Sequence, residues 1–80
     1  MPEINYRIRL VDSSGAALAG TEVSVHYPWT NESDITDDDG WVRFRKDNIS
    51  YGGVEVSVYA DGQLLGEAWV EDGETLSYTI

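Results

Sequence analysis

Along most of this chain apolar and polar side chains alternate with a period of two, a pattern that fits half-buried β-strands and little else. Ile4, Tyr6, Ile8 and Leu10 alternate with Asn5, Arg7 and Arg9. Val23, Val25 and Tyr27 alternate with Glu22, Ser24 and His26, and Pro28 ends or edges that strand because proline offers no ladder N–H. Val42 and Phe44 alternate with Trp41, Arg43 and Arg45. Val54, Val56 and Val58 alternate with Glu55, Ser57 and Tyr59. Asp61-Gly62 then predicts a type I′ hairpin, whose two central residues both need positive φ. The returning strand, Leu64 to Val70, sets Gly66, Ala68 and Val70 on one face and Leu65, Glu67 and Trp69 on the other. Asp72-Gly73 predicts a second hairpin turn, leading to a last strand in which Leu76, Tyr78 and Ile80 face inward. A short strand over Ser33 to Thr36, with Ile35 as its one inward residue, would bring six strands to seven. Turn signals about every ten residues, with no 3.6-residue pattern anywhere, indicate an all-β sandwich or barrel. No linker or repeat divides the chain, so residues 1–80 form one domain.

A chain of 80 residues buries only part of its surface, and without cysteine no disulfide can staple it. Its content of 41% apolar and 11% aromatic residues is enough for a core and argues against disorder. The net charge of −10, from 15 acidic and five basic residues, repels a phosphate backbone or an anionic membrane surface. Neither nucleic acid nor membrane is therefore an expected partner. No apolar run approaches the ~20 residues of a membrane span. Met1 to Leu10 alternates rather than forming a signal-peptide core, so no secretory signal is expected, and the compartment stays open.

The stretch Val11-Asp12-Ser13-Ser14-Gly15-Ala16-Ala17-Leu18-Ala19-Gly20-Thr21-Glu22-Val23-Ser24-Val25, followed by Thr36-Asp37-Asp38-Asp39-Gly40-Trp41-Val42-Arg43-Phe44, resembles the carboxypeptidase-regulatory-like, Cna B-type and transthyretin-like group of domains. The motifs cover residues 11 to 44. The resemblance implies a seven-stranded antiparallel Ig-like or transthyretin-like β-sandwich. The residues also carry a physical reading of their own. Gly15 suits a turn with unusual backbone angles, Leu18 can plug one end of the core, and Gly20 lets the chain bend into the next strand. Thr36 and Asp37 can start a tight turn that Gly40 closes. Two activities found in the group do not carry over. The isopeptide cross-link of some Cna B-type domains needs a first-strand Lys and a last-strand Asn or Asp. Here the first strand has Arg7 and Arg9, and Thr75 to Ile80 has neither Asn nor Asp. The ureide hydrolases use more than one His and a Tyr-Arg-Gly-Ser ending, whereas this chain has only His26 and ends Ser77-Tyr78-Thr79-Ile80.

Little else points to catalysis. His26 lies outward with no G-x-S-x-G elbow to supply a nucleophile, and no second His or Cys offers a transition-metal site. The acidic stretch Glu32, Asp34, Asp37, Asp38 and Asp39 is the one candidate for a hard cation, with Asp34, Asp37 and Asp39 as calcium ligands. An EF-hand alignment fails, placing Ile35 at the first ligand position and Lys46 at the twelfth, so the expectation is a solvated acidic loop and no cofactor. The sequons Asn31-Glu32-Ser33 and Asn48-Ile49-Ser50 read as chance without a secretory path.

The basic residues form two clusters, Arg7/Arg9 and Arg43/Arg45/Lys46, all but Lys46 at outward positions. Tyr6, Tyr27, Phe44 and Tyr78 sit at core positions. Trp41, Tyr59 and Trp69 point outward, and Trp29 and Tyr51 lie in loops. Outward Trp and Tyr beside Arg are the usual anchors of protein interfaces. The sequence thus reads as a non-catalytic structural or adaptor module for protein–protein interaction or self-assembly, with Trp29, Trp41, Tyr59, Trp69, Arg43 and Arg45 at the interface. The alternative is a carbohydrate-binding module with Trp29, Trp41 and Trp69 as its stacking platform.

Overall fold

The computed structural model describes residues 3–49 and 51–80. Met1, Pro2 and Ser50, the last residue of the second sequon, lie outside it. Seven strands form two sheets: β1 (Ile4–Val11), β2 (Glu22–His26), β3 (Asn31–Ile35), β4 (Trp41–Lys46), β5 (Gly53–Ala60), β6 (Gln63–Glu71) and β7 (Thr75–Thr79). One sheet runs β4-β1-β7 and the other β3-β2-β5-β6. A single core joins them. Ile4, Tyr6, Ile8, Leu10, Val42 and Phe44 come from the first sheet, and Val23, Val25, Val54, Val56, Val58, Ala60 and Val70 from the second. These are the residues that the period-two pattern assigns to the inside, because every second side chain of a strand points the same way. Burying one valine or isoleucine of this kind contributes roughly 1.5–3 kcal/mol.

The local chemistry of the turns follows the residues. Asp61 and Gly62 both have positive φ, 48° and 83°, as a type I′ hairpin requires. Thr36 is buried, donates its hydroxyl to the Leu18 carbonyl at 2.6 Å and accepts from the Thr21 amide at 2.9 Å. Asp37 Oδ1 accepts from the amides of Asp39 and Trp41, so this turn is held by its own side chains. Leu18 packs against the core.

Four expectations need correction. First, Ile35 is not inward but 52% exposed. β3 pairs with β2 so that Val25 faces Glu32 and Val23 faces Asp34, which turns Ile35 to the outer side opposite Glu22. Second, Asp72-Gly73 is not a hairpin. The chain changes sheets there, and β7 pairs with β1 in parallel, so the strands are not all antiparallel. The turn docks on β1 instead: Asp72 Oδ1 accepts the Asn5 amide at 2.9 Å, and the Gly73 amide donates to the Asn5 carbonyl at 2.7 Å. Third, Leu65 packs against the core, because a bulge pairs Val58 with Gly66 and Tyr59 with Leu64, leaving Leu65 as the extra residue. Fourth, Ile80 is 44% exposed rather than inward. Ile49, in the polar 47–52 connection, is a fully buried core residue that no alternation announces.

Two polar contacts span the sheets. The hydroxyls of Tyr6 and Tyr27 share a hydrogen bond, buried in the core. Lys46 Nζ reaches Glu32 Oε2 at 2.7 Å, tying β4 of one sheet to β3 of the other. Glu32 is thus an inward-facing charge on an edge strand, a device that discourages a neighbouring chain from adding to that edge.

Candidate functional site

The register of β1 against β4 sets Arg7 opposite Arg43, Arg9 opposite Trp41 and Asn5 opposite Arg45. Alternation turns these side chains away from the core, so all four arginines share the outer face of the three-stranded sheet with Trp41. The guanidinium carbon of Arg7 lies 4.7 Å from the Trp41 ring centroid and that of Arg9 5.7 Å. Such contacts contribute about 0.5–1 kcal/mol at exposed sites. Arg45 binds Glu3 at 2.7 Å, and the nearby Glu3 and Asp47 carboxylates hold its ionisation above the usual guanidinium range. Among the described residues Arg7, Arg9 and Arg43 make no ion pair. Placing Arg7 directly opposite Arg43 works against folding, since like charges across strands repel.

The outer face of the four-stranded sheet has the opposite character. It carries Glu22, Glu55, Glu67 and Glu71 and, among the described residues, no Lys or Arg, together with exposed Ile35, Leu64 and Trp69. Tyr59 packs on His26 with the rings tilted by 33° and centroids 4.3 Å apart. His26, Ser57 and Glu67 stand in one row across β2, β5 and β6, but the Ser57 hydroxyl is donated to Glu67 and not to the imidazole. A nucleophile activated by His26 would need the reverse arrangement.

A third feature is a cleft of about 800 Å³ between the β2–β3 turn, residues 47–49, Tyr51 and the start of β5. Trp29, Tyr51 and Trp69 line it, with Glu32, Lys46 and Asn48 among its polar groups. Trp29 is carried at the tip of a turn closed by the Tyr27 amide donating to the Thr30 carbonyl, and its ring stacks on Tyr27 at 5.9 Å. Trp69 donates Nε1 to Glu71 at 2.9 Å.

The expected interface residues therefore divide among three places. Trp41 and Arg43 belong to the basic face, Tyr59 to the acidic face and Trp29 to the cleft. Arg45 and Trp69 border the cleft as well as their own faces. The three tryptophans do not form one platform, because Trp41 lies on the other sheet. The candidate calcium ligands make local hydrogen bonds: Asp34 Oδ1 accepts the Ile35 amide, Asp37 Oδ1 holds its turn by accepting the Asp39 amide, and Asp39 lends its carbonyl to Arg9. No three His, Cys, Asp or Glu side chains converge among the described residues. The Glu32–Lys46 pair escapes a sequence reading, although Lys46 is the one cation at inward parity and so calls for an inward acid.

No family model matches the chain, and no curated protein or solved structure matches it.

Proposed function

We propose that this chain is a non-catalytic β-sandwich module of the transthyretin-like or Cna B-like kind that associates with copies of itself, basic face on acidic face. Three strands against four around one core, and the turn chemistry at residues 12–20 and 36–40, support the sandwich part of the reading. The single observation that carries the functional part is the segregation of charge. Four arginines and Trp41 occupy one outer sheet face of a chain with net charge −10, while the other outer face bears four glutamates among exposed apolar side chains. Exposed apolar area rimmed by charge marks an interaction surface, and opposite potentials set the register of docking. The two faces differ, so contact between them is head to tail and leaves one face of each end copy open.

The test is a pair of charge reversals followed through light scattering with size exclusion. Arg43→Glu spoils the basic face, and Glu67→Arg spoils the acidic one. Each variant alone is expected to run as a monomer where the parent forms larger species. Mixed, the two should give a one-to-one dimer, because each retains the face that the other needs. A parent that stays monomeric at high concentration, or variants that assemble as the parent does, would refute self-association.

A further inference from the structure

We infer that the cleft between the β2–β3 turn, residues 47–49 and Tyr51 is a binding site for a neutral carbohydrate chain. This goes beyond the charge-split faces, with which the cleft shares Trp69, Glu55 and Arg45 at its borders. Its volume, about 800 Å³, lies within the ~300–1,000 Å³ of small-ligand sites. Three rings stand at its walls: Trp29 at 57% exposure, Trp69 at 51% and Tyr51 at 89%. Both tryptophans are held in place before any ligand arrives. Trp29 rests on Tyr27 at 5.9 Å, and Tyr27 in turn is fixed by its hydroxyl bond to Tyr6 and by Lys46 Nζ at 5.1 Å from its ring. Trp69 lies against Gly53, where a Cβ would come within 2.5 Å of the indole nitrogen, and its Nε1 is tied to Glu71. Rings already ordered lose little freedom on binding and offer their open sides to the C–H faces of sugars.

The polar lining selects the ligand class. Glu32, Asp47 and Glu55 are acceptors only, and the Asn48 amide and Lys46 ammonium supply donors. Vicinal hydroxyls can donate to the carboxylates and accept from the amide and the ammonium. Carboxylates outnumber the two cations of the lining, Arg45 and Lys46, so an anionic ligand is disfavoured. A purely apolar ligand would strip water from these groups without replacing its hydrogen bonds. A proline-rich peptide could stack on the same rings, yet proline has no N–H to offer the acids.

Affinity electrophoresis tests this, with mixed-linkage β-glucan, xylan and galactomannan each cast into a native gel, beside a titration of Trp fluorescence with a polyproline decamer. The parent is expected to be retarded by at least one of the polysaccharides and to ignore the peptide. Trp29→Ala should weaken retardation about tenfold with an unchanged far-ultraviolet spectrum, and Trp29→Phe should restore part of it. Arg43→Glu should bind the polysaccharide as the parent does, and Trp29→Ala should still self-associate, which separates the two surfaces. Free migration in all three gels, retardation that survives Trp29→Ala combined with Tyr51→Ala, or binding of the decamer alone would overturn the assignment.

Discussion

Gly40 has a φ of +81°, and a Cβ there would lie 2.5 Å from the carbonyl oxygen of Leu10, which is backbone and cannot swing aside. Gly15 has a similar φ of +87° with nothing within 4 Å of a Cβ. The two positions separate conformational cost from steric cost. Urea denaturation should show Gly15→Ala losing about 1 kcal/mol, the cost of the left-handed region, and Gly40→Ala losing roughly 3 kcal/mol or more. The buried Tyr6–Tyr27 pair gives the molecule an alkaline limit. Burial, more than any neighbour, raises the ionisation of both phenols above the ordinary value near 10. The folded state therefore keeps these protons longer than the unfolded chain does. Stability is complete below pH ~10 and falls above it, by up to about 1.4 kcal/mol per pH unit for each phenol. Denaturation midpoints measured from pH 8 to 11.5 should show this fall, with a shallower slope in Tyr27→Phe. At the acid end Asp12 titrates low, because its carboxylate accepts from the Ser14 hydroxyl and from the amides of Ala16 and Ser14. Its contribution is present above the ordinary carboxylate range and is lost as pH falls through the depressed value.

Among the elements, β3 and β7 are the two whose placement depends most on side chains outside the alternation. β3 exposes most of its residues, and it is tied across to β4 by Glu32 and Lys46, whose side chains are 35% and 19% exposed. Lys46→Met keeps the aliphatic stem over Tyr27 but leaves the Glu32 carboxylate half-buried without its partner. Because the pair is partly solvated, the expected loss is about 1–2 kcal/mol, below the 3–5 kcal/mol of a fully buried pair. Lys46→Met combined with Glu32→Leu should recover most of it in urea denaturation. β7 leaves β6 and crosses to the free edge of β1, where Asp72 caps the Asn5 amide. Asp72→Ala should cost about 1 kcal/mol and speed hydrogen exchange at Asn5. Unchanged exchange there would mean that the crossing is set by the Leu76 and Tyr78 contacts alone. Gly66 gives room for that packing, since a Cβ there would meet the Tyr78 ring at 3.3 Å.

On the scale of the whole molecule, net charge and local charge act against each other. Two bodies of −10 repel at long range, whereas four arginines meeting four glutamates attract at contact. The Debye length is about 8 Å at physiological ionic strength and about 3 Å at 1 M. Head-to-tail association should therefore be strongest at intermediate salt, where long-range repulsion is screened before contact attraction is. Light scattering from 0.02 to about 1 M NaCl should trace a maximum rather than a steady rise. A steady rise would place the association on apolar contact alone. Trp69→Ala should weaken association and leave the fold intact, because the side chain is outward and half exposed.

The amino-acid order by itself determined which side chains lie inside β1, β2, β4 and β5, since a strand has two faces and each of these segments has one apolar set. It also determined the Asp61-Gly62 hairpin and the turn closed by Gly40, because few residues tolerate those backbone angles. Only the tertiary structure decided pairings between strands distant in sequence. It sent β7 to β1 rather than to β6, turned Glu32 inward and Ile35 outward, and brought Ile49 from a polar loop into the core. It likewise put Trp41 and Trp69 on different sheets with Trp29 in a turn, and gathered four arginines from two strands onto one face. Period and turn chemistry act between near neighbours along the chain. Which edge a strand joins, and in what register, is settled by competition among distant surfaces for the same burial.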